Sequence, residues 1–203
     1  MFLFISWVSC GLTQIFLNRL NKFSEYDPGM LLVNVDMPDY ALKIFDFNIL
    51  TSKELPVAMA KLKEEDLPYM ILHSYYEGNS KNFWLEMDNQ YGIKISLSGN
   101  LLQASRFDIG GKSKLIAAKV LGTKNVLLMH NNQCLTVDAE QSKYREGYPI
   151  RLKKCKRDEP KQLFRFVSAL KGACVLNMPV CPGLEILTDV ERVIEHRISH
   201  FAI

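Results

Sequence analysis

The sequence predicts an all-β protein built from three copies of one strand-rich unit. Segments of the chain resemble one another at a constant spacing, apolar residues alternate with polar ones within each copy, and turn-forming residues separate the alternating stretches. A period of two is typical of half-buried strands, and Gly, Pro, Asn and Asp mark the turns between strands. Four short strands in each copy, about twelve in all, predict a β-trefoil, a six-stranded barrel closed by a triangular cap of hairpins.

The first and third copies match most clearly. Residues 41–72 align with residues 134–165 at a constant offset of 93 and without a gap. Another copy, which begins at Asn82, occupies the space between them. Each copy has an apolar face that only the other two can cover, so we expect all three to fold together. The predicted repeats are 29–75, 82–121 and 125–167.

The chain begins with an apolar segment that small residues follow. Residues 2–12 carry no charged side chain, and as a helix they would cross only about half of a ~30 Å hydrocarbon core. Ser9 and Gly11 suit a cleavage region, so we predict a signal peptide at residues 1–13 and an N-terminal strap at 14–28. The protein is then secreted, without a membrane span once the signal is removed. A buried N-terminal helix and an uncleaved anchor are the alternatives.

The third repeat carries a recognisable pattern of cysteines and apolar residues. It contains Cys134-Leu135-Thr136-Val137, Gly147 before an alternating strand, Cys155, and Gln162-Leu163-Phe164. This pattern resembles a ricin B-type lectin repeat, which has Cys-Leu-Asp-Val, a glycine, a second cysteine and Gln-x-Trp in that order. The resemblance is strongest in residues 125–167 and implies a sugar-binding β-trefoil.

The same resemblance implies a disulfide between Cys134 and Cys155, because the two cysteines of a unit are commonly bonded in that family. Cys174 and Cys181 are then left to pair with each other once Cys10 leaves with the signal. Four remaining cysteines suit an oxidising compartment. A zinc site is the alternative, but the sequence has no Cys-x-x-Cys pair. We predict no bound metal and no cofactor.

Most residues with which the family binds sugar differ in this chain. Thr136 stands where the family has the aspartate of Cys-Leu-Asp-Val, and Lys43 and Lys94 are aligned with it in the other repeats. Asp138, which follows Val137, could supply a carboxylate only if the turn shifted. Gln162 is retained, although its role could be structural alone. The candidate ligand-binding residues are Thr136, Asp138, Arg151, Lys153, Lys161 and Gln162.

Basic residues take the place of the family's sugar contacts. Residues 143–165 include nine basic and three acidic side chains, whereas the whole chain has a net charge of only +3. Arg151 and Lys153 alternate with Ile150 and Leu152, so they share the outward face of a strand. Such a surface suits an acidic glycan or an acidic protein surface. A solvated face balanced by acids elsewhere is the alternative, and nucleic acid is not expected for a secreted protein.

The C-terminal extension, 168–203, lies outside the repeats and has the spacing of a helix stripe at Val190, Val193 and Ile194. His196 and His200 lie four apart without an evident third ligand, so we expect a surface pair. No nucleophile or phosphate-binding motif stands out, and we predict no enzymatic activity.

The sequence therefore predicts a secreted, non-catalytic carbohydrate-binding module of the ricin B-like kind. Its sugar sites are degenerate, and we expect a preference for acidic glycans. The alternative is a structural or protein-binding extracellular trefoil, such as a coat or wall component, that binds no sugar.

Overall fold

The computed structural model describes residues 29–45, 54–76, 82–87, 92–106, 110–142, 146–176, 178 and 184–201. The strands are β1 (Met30–Asn34), β2 (Met37–Ile44), β3 (Glu54–Lys61), β4 (Leu72–Tyr76), β5 (Asn82–Met87), β6 (Lys94–Ser98), β7 (Leu101–Ser105), β8 (Leu115–Lys119), β9 (Val126–His130), β10 (Gln133–Val137), β11 (Tyr148–Lys154) and β12 (Leu163–Ser168). The helices are the 3-10 helices η1 (Glu64–Tyr69) and η2 (Pro160–Gln162) and the α-helices α1 (Ala169–Val175) and α2 (Leu184–Phe201).

Within these residues, twelve strands belong to one antiparallel sheet. Ten of them pair in a closed ring, in the order β3-β2-β1-β12-β9-β8-β5-β6-β7-β11 and back to β3. The other two strands pair beside the ring: β4 with β1 and β5, and β10 with β9 and β11.

This topology corrects the predicted β-trefoil. The structure is a closed ten-stranded antiparallel barrel with two additional strands and a C-terminal helical segment. The hairpin strands do not form a separate cap, because β3, β7 and β11 hydrogen-bond to one another and so belong to the same closed sheet. Alternation in a sequence shows which side of a strand is buried, but not which strands become neighbours. The predicted repeat boundaries stay a prediction.

The barrel interior is filled by the apolar side chains that alternate along the strands. In β5, Phe83 and Leu85 are fully buried, and in β12 Phe164 is fully buried as well. Phe164 stands where the ricin B-type pattern has tryptophan, so a large aromatic side chain is kept in the core. Burial of a side chain of this size contributes about 1.5–3 kcal/mol.

The C-terminal extension is helical and packs against the barrel. Ser168 caps α1, since its Oγ accepts a hydrogen bond from the Lys171 N–H at 3.0 Å. In α2, Val190 and Ile194 are buried, and Glu191 accepts a hydrogen bond from the Ser168 N–H at 2.9 Å. Among the described helices, none has the length and apolar character that a bilayer span needs. The predicted signal peptide and N-terminal strap lie outside the described residues.

Candidate functional site

The hairpin formed by β10 and β11 is held together by a covalent bond. Cys134 on β10 and Cys155, just after β11, form a disulfide with their Cα atoms 4.9 Å apart. This is the pair that the ricin B-type resemblance implies. Cys174 is also disulfide-bonded, while Cys181, its predicted partner, lies outside the described residues.

Gln162 and Thr136 form a buried hydrogen-bond network behind this hairpin. The Gln162 side chain is almost completely buried and donates from Nε2 to Thr136 Oγ1 at 2.9 Å and to the Lys154 carbonyl at 3.0 Å. Its Oε1 accepts a hydrogen bond from the Lys156 N–H at 2.7 Å. Thr136 in turn donates to the Cys134 carbonyl at 3.1 Å. Because these contacts are all internal, the two residues hold the backbone at the end of β11.

Asp138 forms ion pairs with Arg151 and Lys153, the two basic side chains on the outward face of β11. Its N–H donates to the Pro149 carbonyl at 2.8 Å, so the pairing of β10 with β11 continues one residue beyond Val137. This extension places the Asp138 carboxylate beside Arg151 Nε, at 2.8 Å, and Lys153 Nζ, at 2.9 Å. The Arg151 and Lys153 side chains remain 40% and 50% exposed, so both are accessible to a ligand.

A shallow pocket of about 460 Å³ opens beside this charge cluster. Its polar lining offers donors and acceptors from Asp138, Gln141, Ser142 and Arg151. None of its described lining residues is aromatic. The pocket therefore has charges and amides for recognition, and no ring on which the apolar face of a sugar could stack.

Further basic side chains lie around the pocket. Lys154, Lys156 and Arg157 are exposed, while Lys143 and Arg145 lie outside the described residues. Lys161 lies half-buried in η2 and does not line the pocket. The structure therefore brings Asp138, Arg151 and Lys153 together, keeps Thr136 and Gln162 in the interior, and leaves Lys161 apart.

An ion pair also connects the loop before β11 to the segment that follows the neighbouring strand, β3. Lys63 Nζ donates to Glu146 Oε2 at 3.1 Å. This hydrogen bond and the negative charge of Glu146 raise the pKa of Lys63 above its ordinary value. No cluster of three or more metal-ligating side chains is found among the described residues.

The equivalent hairpins show that the predicted alignment of Lys94 is wrong. Thr136 pairs with Arg151 on β11, and Ser96, not Lys94, has the matching place opposite Gln103 on β7. Lys94 lies two residues earlier, opposite Glu86 on β5. A shift of two residues keeps a side chain on the same face of a strand, so the alternation of the sequence does not reveal it.

The corresponding position in the first hairpin is Lys43, which is already engaged. It forms an ion pair with Asp66 at 2.5 Å and lies 4.7 Å from the centre of the Phe45 ring. Both charged side chains are nearly buried. The charge cluster with an adjoining pocket belongs to the β10–β11 hairpin.

Solved structures of low sequence identity have a fold similar to that of this chain. No protein-family model matches the chain, and no curated protein matches it in sequence. The designed three-fold symmetric protein ThreeFoil is 15% identical, with a TM-score of 0.56, and the match covers 70% of this chain and 99% of that chain. An endo-β-galactosidase from Clostridium perfringens that releases GlcNAcα1-4Gal is 10% identical, with a TM-score of 0.53. That match covers 70% of this chain and 32% of the galactosidase, so the likeness spans about a third of the larger protein.

A lectin is also among the structural neighbours. The C-terminal half of an earthworm R-type lectin, solved with GalNAc, is a structural neighbour with 14% identity. The match covers 70% of this chain and 99% of that chain, with a TM-score of 0.48. At such identities, structural likeness shows the fold and leaves the ligand to the residues of this chain.

Proposed function

We propose that this protein is a secreted, non-catalytic carbohydrate-binding protein that holds an acidic glycan at the pocket beside Asp138. One observation carries the proposal: the Asp138 carboxylate, which lines that pocket with Arg151, holds Arg151 and Lys153 side by side, both half exposed. The hairpin that carries the pocket also has the ricin B-like pattern. The disulfide is compatible with an extracellular protein.

The charges of the cluster favour an anionic group. Arg151 and Lys153 face the single carboxylate of Asp138, so these three residues have a net positive charge, and Glu140 adds a second carboxylate to the pocket lining. Arg151 contacts Asp138 through Nε, and a guanidinium has further N–H donors that suit a carboxylate or sulfate. Because Asp138 already holds both side chains in place, Arg151 and Lys153 lose less side-chain entropy when a ligand binds than two unrestrained side chains would.

Calorimetric titration with a heparin tetrasaccharide and its desulfated counterpart tests the proposal. We expect the sulfated form to bind, and to bind much more weakly when salt rises from about 0.05 M to about 0.5 M, since exposed charges are screened. The double substitution Arg151→Ala/Lys153→Ala should weaken binding by about tenfold or more. The matched control Lys154→Ala/Lys156→Ala removes the same charge outside the pocket and should have a smaller effect.

Equal loss in both double variants would show that only general positive charge matters, and would contradict a site at Asp138. Tight, salt-insensitive binding to neutral galactosides that requires Arg151 and Lys153 would also contradict the acidic-glycan assignment.

A second candidate function is binding to an acidic protein surface, as expected for a structural coat or wall component. It is favoured by the exposure of Lys154, Lys156 and Arg157, which lie outside the pocket. A pull-down from the secreted fraction after enzymatic removal of glycans distinguishes the two. Capture of one acidic protein that depends on these three residues supports the second function, and loss of capture on deglycosylation supports the first.

A further inference from the structure

The outer face of β5 carries a row of polar and aromatic side chains away from the site at Asp138. Asn82, Trp84 and Glu86 alternate with buried Phe83 and Leu85, so the three point to the outside of the barrel. Neighbouring strands place further groups beside this row. Together they form a pocket and an aromatic platform that the proposed acidic-glycan site does not use.

The pocket has a volume of about 460 Å³ and lies where β5, β8 and β9 meet. Its lining includes Asn82, Gly110, Lys114, Ile116, His130 and Asn131. Its size is within the range of small-ligand pockets, about 300–1,000 Å³. Gly110 and its neighbour Gly111 have positive φ angles of 72° and 70°, a conformation that glycine adopts without strain.

His130 supplies an acceptor in this pocket. Its Nδ1 lies 2.7 Å from the Lys114 carbonyl oxygen, which can only accept, so Nδ1 carries the hydrogen. In the neutral ring, Nε2 is then an acceptor. Asn82 and Asn131 bear amides that both donate and accept, and the lysine ammonium donates. Sugar hydroxyls, which are at once donors and acceptors, match this mixture.

The aromatic platform begins two residues further along β5. Trp84 lies opposite Tyr75 on β4, and their rings are stacked with centres 5.9 Å apart and planes 17° from parallel. Trp84 Nε1 donates to Glu86 Oε1 at 2.7 Å, which fixes the orientation of the indole. The Tyr75 side chain is 41% exposed, so part of the platform is open to solvent.

The charges beside the platform cancel. Lys94 Nζ lies 3.8 Å from Glu86 Oε1 and 4.7 Å from the centre of the Trp84 ring. The pair adds one positive and one negative charge, in contrast to the excess of positive charge at Asp138. A charged glycan gains nothing from such a pair, whereas a neutral sugar can use both groups for its hydroxyls.

We propose that the pocket and the platform form one binding site for an uncharged oligosaccharide of at least two rings. One ring lies in the pocket, where its hydroxyls contact His130 and Asn82. The next ring packs its apolar face on the exposed ring of Tyr75, which the stacked Trp84 supports from behind, since aromatic rings bury the C–H faces of sugars as they bury other apolar surface. Asn82 and Trp84 are about 7 Å apart along the strand, which allows one linear ligand to reach both parts.

A printed array of neutral di- to tetrasaccharides, which includes β-galactosides, β-glucosides, α-mannosides and N-acetylglucosamine oligomers, identifies the probe. The best binder is then titrated by tryptophan fluorescence. The chain has two tryptophans, and Trp7 lies in the predicted signal peptide. Trp84 is therefore the reporter in the processed protein, and Trp7→Phe makes it the reporter in the full chain as well. We expect saturable binding with a change in Trp84 emission.

Tyr75→Ala and His130→Ala should each weaken binding by about tenfold or more, because each removes one half of the site. Tyr69→Ala is the matched control: Tyr69 is a similarly exposed tyrosine in η1, 37% exposed, and its loss should change the affinity by less than about twofold. Arg151→Ala/Lys153→Ala should also leave neutral-glycan affinity unchanged.

The proposal is overturned if no neutral oligosaccharide on the array binds, if Tyr75→Ala or His130→Ala binds like the wild type, or if bound glycan leaves Trp84 emission unaltered. Thermal unfolding of each variant separates loss of the site from loss of the fold. The test is independent of the acidic-glycan proposal, because failure of one site leaves the titrations of the other intact.

Discussion

Replacement of Gln162 by leucine tests whether this residue supports the backbone or contacts a ligand. Its three side-chain hydrogen bonds reach Thr136, Lys154 and Lys156, and the side chain is only 2% exposed. A net value of about 1 kcal/mol for each bond gives a loss of about 3 kcal/mol in the free energy of unfolding. With a denaturant slope of about 2 kcal/mol/M, the urea midpoint should fall by about 1.5 M.

Urea unfolding followed by circular dichroism measures this change. Gln133→Leu, at an exposed position of β10, is the matched control and should shift the free energy by less than about 0.5 kcal/mol. Glycan affinity of the folded Gln162→Leu protein should equal that of the wild type. The structural role would be refuted by a loss below about 1 kcal/mol, or by lost glycan binding in a protein of unchanged stability.

Three further predictions concern stability. Gly147→Ala should destabilise the fold by at least about 2 kcal/mol, because its φ is +129° and a Cβ would lie 2.8 Å from the Met59 carbonyl oxygen. Joint replacement of Cys134 and Cys155 by alanine should cost about 3 kcal/mol, since the bond closes a loop across a sequence separation of 21. Ile194→Ala should cost about 2–4 kcal/mol because this side chain is buried where α2 docks. Urea unfolding measures each change.

The glycine and isoleucine predictions each have a matched control. Gly99→Ala introduces a side chain at a φ of +61° with no atom within 4 Å of the new Cβ, so it should cost less than Gly147→Ala. Val193→Ala, at a position 44% exposed, should be nearly neutral beside Ile194→Ala. An unchanged midpoint for Ile194→Ala would mean that α2 does not contribute to the cooperative unit. Equal midpoints for the oxidised and cysteine-free proteins would contradict the loop-closure argument.

Alternation in the sequence predicted the faces of individual strands well. Ile150 and Leu152 are buried, and Arg151 and Lys153 face outward, as expected for a strand with one side in the core. These features depend only on the local period of two, which the sequence contains directly.

Features that depend on which strands pair, and in which register, were not predictable from the sequence. The closed ten-stranded ring follows from contacts between distant strands, about which local patterns carry no information. Asp138 reaches Arg151 and Lys153 only because the ladder continues to Pro149. The alternation of Asn82, Trp84 and Glu86 in the sequence indicates that the three share the outer face of β5. The pocket beside them could not be predicted, because it also depends on where β8 and β9 lie.

The pairing of β1 with β12 has a consequence for how the molecule is made. Met30 lies opposite Ser168, so the edge of β1 that pairs with β12 finds its partner only after nearly all of the barrel sequence has left the ribosome, whereas β2 follows β1 directly. Contacts between such distant residues slow folding, because the entropy of closing a long loop is lost before the contact stabilises the chain. Local hairpins can form during synthesis, but the unpaired side of β1 stays open to wrong partners until translation passes Ser168. Cells that produce this protein should therefore hold the nascent chain with a chaperone until that point.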